Sequence, residues 1–144
     1  HKGALLTIND RCTGQVWIRK LKGKEAGSLA EETIKVLMPF KEIIHTITAD
    51  NGKEFACHEL IARELNIDMY FAHPYHSWER GANENTNGLI RQFFPKGSDF
   101  ETLSVERIQI VQDRLNDRPR KRLGFLSPNE KYREIINQQI AFVS

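Results

Sequence analysis

The sequence predicts an α/β domain in which a β-sheet carries helices on its faces. Strand-like runs alternate with amphipathic helical runs in the first half of the chain, and helical runs fill the second half. The length of 144 residues suits one ordinary domain, and the composition is globular, with 40% hydrophobic and 28% charged residues. Because no repeat, low-complexity tract or linker interrupts the chain, we treat residues 1–144 as one domain.

The first half supplies the predicted strands. Residues 3–8 (GALLTI) and 15–21 (QVWIRKL) are rich in β-branched and other strand-forming residues and predict a hairpin. Residues 43–49 (IIHTITA) predict a buried strand that ends at Asp50. Apolar and polar residues alternate over 67–71, as they do in a further strand.

Helices are predicted between and after these strands. Ser28 and Glu31 have the spacing of a capping box and open the first helix, which Pro39 ends. An amphipathic pattern over residues 57–65 predicts the second. Three more helices are predicted over residues 83–94, over residues 104–116 and from the sequence Ser127-Pro128-Asn129-Glu130 onward.

Asp50 lies where a predicted strand meets a turn. Asn51 and Gly52 follow it directly, and this pair is a strong turn former. The position is therefore either a solvated hairpin tip or a binding site, because ligands in α/β sheets bind at the carboxyl ends of strands.

The predicted helix over residues 83–94 carries a polar stripe. Glu84, Asn87 and Arg91 are spaced to share one face, and the apolar residues of the segment lie opposite. Its three asparagines and Gly88 are poor helix formers, and a glycine costs about 1 kcal/mol relative to alanine. Such a loss of helix propensity favours a functional role. A strand-end aspartate and a helical glutamate are oxygen ligands suited to Mg²⁺ or Mn²⁺.

Basic residues concentrate in one segment of a nearly neutral chain. The net charge is +2, yet residues 114–122 (RLNDRPRKR) contain five basic residues and one acidic residue. Such a run is either a solvated face or a contact for nucleic acid. Cys12 and Cys57 fit no disulfide framework and indicate a reducing compartment.

Three segments together resemble a known family of enzymes. They are TADNGKEF, PYHSWERGANENTNGLIRQFFPKG and LNDRPRKRLGFLSPNEKY, with 33 residues between Asp50 and Glu84. In combination they resemble the DDE transposases with a retroviral-integrase-like catalytic core, and in particular the bacterial insertion-sequence-thirty family. The resemblance implies a ribonuclease-H-like mixed sheet flanked by helices. It also implies a bacterial cytoplasmic protein that acts on nucleoid DNA and forms homo-oligomers.

The resemblance further implies a polynucleotidyl transferase that carries out DNA recombination by transposition. Such an enzyme cleaves DNA at transposon ends and joins the 3′-hydroxyl to target DNA, using two Mg²⁺ or Mn²⁺ ions held by two aspartates and a glutamate. Asp50 matches the second aspartate and Glu84 the glutamate, so both are expected to be catalytic and to bind metal.

The first aspartate of that triad has no match in this chain. In the family it lies on the central strand, upstream of the hairpin, and residues 3–8 match the strand that follows. Asp10 is accordingly expected in a turn. We therefore expect an N-terminally truncated domain that is inactive by itself, with a gap in its sheet that invites another strand.

The resemblance implies that the partner is DNA, and further residues are expected to contact it. Their side chains are basic, aromatic or amide groups that can meet phosphates or bases. They are Lys53, His76, Trp78, Arg80, Asn87, Arg91, Arg118, Arg120, Lys121 and Arg122.

Two other functions remain open from the sequence. A metal-dependent nuclease on the same fold would cut DNA without joining it, and a DNA-binding or assembly module would do neither. A zinc site is disfavoured, because Cys57 and His58 are adjacent on a predicted helix and the chain has no CxxC motif.

Overall fold

The computed structural model describes residues 3–23, 26–49, 57–71 and 81–143, with residues 26, 81–84 and 139–143 described by their backbone alone. In chain order this part forms two strands, a helix, a strand, a helix, a strand and three helices. The order agrees with the predicted α/β class.

The first two strands form the predicted hairpin. Strand β1 (Ala4–Asn9) pairs antiparallel with β2 (Val16–Leu21), and Asn9 lies opposite Val16. The Asp10 carboxylate accepts hydrogen bonds from the Cys12 amide at 2.9 Å and the Thr13 hydroxyl at 2.8 Å. The prediction that Asp10 is a turn residue is thus confirmed.

The other two strands form a parallel pair. Strand β3 (Thr46–Ala49) pairs with β4 (Asp68–Phe71), with Ala49 opposite Phe71. The prediction of a buried strand over 43–49 was wrong in extent, because the Ile43 and Ile44 amides bond to the Phe40 carbonyl in a turn. It was also wrong in burial, because Ala49 is the one buried residue of β3.

The two pairs are separate sheets in the described part of the chain. One edge of β1 bonds to β2, and no described strand pairs with its other edge. At the outer edge of β2, side chains of a helix bond to the backbone of Val16 and Ile18.

Helices α1 and α2 cover one side of the hairpin. Helix α1 (Ala26–Leu37) begins before Ser28, so the prediction that Ser28 caps it was wrong. Pro39 follows the helix in a short 3₁₀ turn, as expected. Helix α2 (His58–Leu65) ends at Asn66, whose φ of 52° is left-handed. Their shared core is Ala30, Val36, Leu37, Ile61 and Leu65.

Three helices complete the described structure. Helix α3 (Gly81–Arg91) ends earlier than predicted. Helix α4 (Val105–Asp117) is capped by Ser104. Helix α5 (Pro128–Val143) begins with a capping box formed by Ser127 and Glu130. Helices α3 and α4 cover the hairpin side opposite α1. Their core is Val16, Ile18, Ile90, Phe94, Ile108, Val111 and Leu115. No described helix is long and apolar enough to cross a membrane.

Candidate functional site

The carboxyl ends of the parallel strands meet at one edge. Ala49, the last residue of β3, is paired with Phe71, the last residue of β4, so the two strands end side by side. Asp50 comes directly after Ala49. Five of the predicted site residues lie outside the described part of the chain: Asp50, Lys53, His76, Trp78 and Arg80.

Helix α3 presents the predicted polar stripe. Asn87 and Arg91 are exposed, whereas Ile90 and Phe94 are buried in the core. The division into a polar and a packed face is therefore confirmed for the described side chains of the stripe. Glu84 lies in the first turn of α3, and its side chain lies outside the described ones.

Residues 118–122, which we call the basic segment, lead from α4 into a closed turn. The Arg120 amide donates to the Leu126 carbonyl at 2.9 Å, and the Arg120 carbonyl accepts from the amides of Leu123 at 3.0 Å and Phe125 at 2.9 Å. Gly124 and Phe125 both have positive φ, at 66° and 67°. The segment is thus fixed by hydrogen bonds along its own backbone.

The arginines of the basic segment bond to neutral oxygens. Arg118 Nη1 donates to Oε1 of Gln92, next to the C-terminus of α3, at 3.2 Å, which ties the segment to that helix. Arg122 Nη1 donates to the Arg11 carbonyl at 2.9 Å. Within the described residues, no arginine or lysine of this segment forms a salt bridge, so its positive charge is left for a partner.

Arg120 is the most enclosed of these cations. Burial, followed by the charges of Arg118 and Arg122, lowers the pKa of the Arg120 guanidinium, which stays charged at neutral pH. Its Nη2 donates to the Leu115 carbonyl at 2.8 Å, but its Nε is buried without a hydrogen-bond partner. Arg120 therefore contributes its positive charge to the basic segment, while its Nε is enclosed by the protein.

The basic segment and α3 border one cleft of about 300 Å³. Besides the segment itself, its walls are Asn9, Gly14, Asn85, Thr86 and Leu89. Asn9, Asn85 and Thr86 were not among the predicted site residues, although the run of poor helix formers around Asn85 pointed to this turn of α3.

The structure thus brings four predicted residues together, Arg118, Arg120, Lys121 and Arg122, all on the cleft. Asn87 and Arg91 lie on α3 but do not line it. Among the described residues, no three side chains of His, Cys, Asp or Glu form a metal-binding group. The metal role of Asp50 and Glu84 stays a prediction.

The chain is similar in sequence to curated transposases. It is 63% identical over 145 residues to the transposase for insertion sequence element IS4351 of Bacteroides fragilis, covering all of this chain and 44% of that protein. It is 37% identical over 138 residues to transposase InsI for IS30C of Escherichia coli K12, covering 95% of this chain and 35% of that protein. The chain therefore spans less than half of these relatives. No family model matches the chain.

A solved structure shows the fold independently. A chain of the simian T-cell lymphotropic virus intasome, in complex with PP2A regulatory subunit B56 gamma, superposes with a TM-score of 0.58 at 17% identity. The match covers 79% of this chain and 46% of the other. The protein has an integrase-like, ribonuclease-H-like α/β core.

Proposed function

Because this chain is homologous to insertion-sequence transposases and has an integrase-like core, we propose that it is the catalytic core of a DDE-type DNA transposase. The reaction is metal-dependent cleavage of DNA at transposon ends, followed by transfer of the new 3′-hydroxyl into target DNA. The proposal covers residues 1–144 as one domain of a homo-oligomeric bacterial protein that acts on DNA in the cytoplasm.

One observation carries the proposal: a cluster of uncompensated cations borders a cleft beside helix α3, the helix that holds Glu84. Arg118 Nη1 donates to Gln92 Oε1 at 3.2 Å, which links one of these cations to the end of this helix. The half-buried Arg120 guanidinium adds a positive charge that attracts a phosphate. A DNA backbone held in this cleft would run along the element that carries a catalytic carboxylate.

The donor chemistry fits a divalent cation. Asp50 follows β3 at the edge where β3 and β4 both end, and Glu84 lies in the first turn of α3. Both supply the hard carboxylate oxygens that Mg²⁺ and Mn²⁺ prefer. Two such ions, when bound, activate the attacking oxygen and stabilise the leaving one. The chain's own contribution is to position these carboxylates and, through the basic segment, to hold the DNA phosphates.

The remaining aspartate is proposed to arrive on a strand from outside this chain. Asn116 and Gln112 of α4 occupy the outer edge of β2, which leaves β1 as the hairpin edge that no described strand pairs with. A strand from an upstream part of the full-length protein would pair with β1 and supply that aspartate. On this proposal the chain by itself does not catalyse the reaction.

A joining assay on the full-length protein tests the function. It uses pre-cut transposon-end DNA and a supercoiled target in Mg²⁺, with the variants Asp50→Asn and Glu84→Gln. Each should lower strand transfer by at least about a hundredfold, since a metal ion stabilises the transition state by several kcal/mol. The matched control is Glu106→Gln, which changes an exposed carboxylate on α4 and should leave the rate unchanged.

Three outcomes would contradict the proposal in different ways. Full strand transfer by either variant would remove that carboxylate from the site. Products of hydrolysis alone would indicate a nuclease. DNA binding without any cleavage or joining by the full-length wild-type protein would indicate a binding or assembly module.

A further inference from the structure

The side chain of Phe125 is an exposed aromatic ring on the protein surface. It is 69% exposed, the largest fraction among the exposed large hydrophobic residues of the described chain. Exposure of a phenylalanine in water is unfavourable, and no described aromatic ring lies against it. The ring is therefore available to a partner outside this chain.

The backbone at Phe125 is also held in an unfavourable conformation. Its φ of 67° lies in the left-handed region, where a bulky side chain is a genuine outlier. The surrounding hydrogen bonds impose this conformation: the Phe125 amide donates to the Arg120 carbonyl at 2.9 Å, and the Arg120 amide donates to the Leu126 carbonyl at 2.9 Å. Backbone strain maintained in this way is typical of ligand-binding positions.

The same closed turn carries the basic segment. Arg120, Lys121 and Arg122 precede Phe125 by five, four and three residues, and none of them forms a salt bridge within the described chain. Uncompensated cations next to an exposed ring do not suit an apolar protein interface, whose buried centre is depleted of charge. They suit a polyanion with flat, apolar faces, which is the chemistry of unpaired nucleic acid.

We propose that Phe125 stacks on an unpaired nucleobase while the basic segment binds the flanking phosphates. The ligand class is single-stranded DNA, or duplex DNA with unpaired bases, bound at the turn that holds Phe125 and the basic segment. This inference rests on the proposed function, because it takes the phosphates to be those of the DNA substrate. It adds that the turn over residues 118–126 distinguishes unpaired from paired DNA.

The test measures affinity of the full-length protein for one DNA sequence in three forms. These are a single strand, a perfect duplex and a duplex with a few unpaired central bases, each labelled for fluorescence anisotropy. Phe125→Ala should weaken binding of both unpaired forms by roughly 5- to 150-fold, the effect of removing one base–aromatic stack. Duplex binding should change by less than about twofold, because phosphate contacts remain. Phe125→Trp keeps a stacking ring at this position and should retain the wild-type preference for unpaired DNA.

The inference and the proposed function fail differently. Equal affinities of wild-type protein and Phe125→Ala for every form would overturn the inference alone. So would a loss of dimers or larger assemblies in Phe125→Ala, measured by light scattering, because the ring would then contact a second copy. The double variant Arg118→Gln/Arg122→Gln should weaken all three forms. If it weakened none, the observation that carries the proposed function would be lost, and this inference with it.

Discussion

The side-chain amide of Asn116 pairs with both backbone groups of Val16. Asn116 Oδ1 accepts from the Val16 amide at 2.9 Å, and Asn116 Nδ2 donates to the Val16 carbonyl at 2.9 Å. One helical turn earlier, Gln112 Oε1 accepts from the Ile18 amide at 2.9 Å. Helix α4 thus hydrogen-bonds to backbone groups at the outer edge of β2, as a neighbouring strand would. That edge is therefore closed to further strand pairing.

Replacing Asn116 should destabilise the domain strongly. Asn116→Leu keeps the approximate volume but leaves the buried Val16 amide and carbonyl without partners, at a cost of about 3 kcal/mol. Urea unfolding followed by circular dichroism measures the change. Gln109→Ala is the matched control, since Gln109 is exposed on the same helix, and it should cost less than about 0.5 kcal/mol. An unchanged midpoint for Asn116→Leu would mean that the pair with Val16 contributes nothing to stability.

Removing arginines from the basic segment should flatten the salt dependence of DNA binding. Every phosphate that a cation no longer neutralises reduces the slope of log affinity against log salt by about 0.9, so Arg118→Gln/Arg122→Gln should reduce it by roughly 2. Titrations of duplex DNA at several salt concentrations give the slope. Arg63→Gln removes an exposed arginine on α2 and serves as control. If the control reduced the slope as much as the double variant, the cleft would have no special role in binding.

The capping box of α5 should make stability depend on acid pH. The Ser127 amide, followed by its hydroxyl, lowers the pKa of Glu130 below its ordinary value of 4.5. A carboxyl with a lowered folded-state pKa stabilises the fold above its unfolded pKa and loses that contribution as pH falls through the folded value. Glu130→Gln should therefore melt lower than wild type at neutral pH, and the difference should shrink below pH 4.5. A constant difference at all pH values would rule out the charge as its cause.

Relieving the strain at Phe125 should raise stability. Phe125→Gly places the residue type that tolerates positive φ at 67°, and we expect a gain of about 1 kcal/mol, observed as a higher melting temperature. Gly124→Ala is the opposite control: its φ is 66°, and a side chain there should cost about 1 kcal/mol. A melting temperature that falls in Phe125→Gly would show that the ring stabilises the fold.

The local elements of this protein could be predicted because their determinants lie close together in the chain. Ser104 accepts from the Arg107 amide, and Ser127 and Glu130 cap each other, so contacts over three residues fix where α4 and α5 begin. Strand-forming residues placed β1 and β2, and alternation placed β4, for the same reason. The prediction failed at Ser28, because α1 already begins at Ala26, ahead of the local capping pattern.

The candidate site depended on contacts between distant parts of the chain. The sequence alone identified the charge of the basic segment and the polar stripe of α3, since composition and helical spacing are visible in a single segment. Only the tertiary structure decided that Arg118 meets Gln92, that Asn85 lines the same cleft, and that Asn116 closes the edge of β2. Residues 16 and 116 are separated by 100 positions, and no local pattern records which remote hydrogen-bond partner a buried backbone group will find.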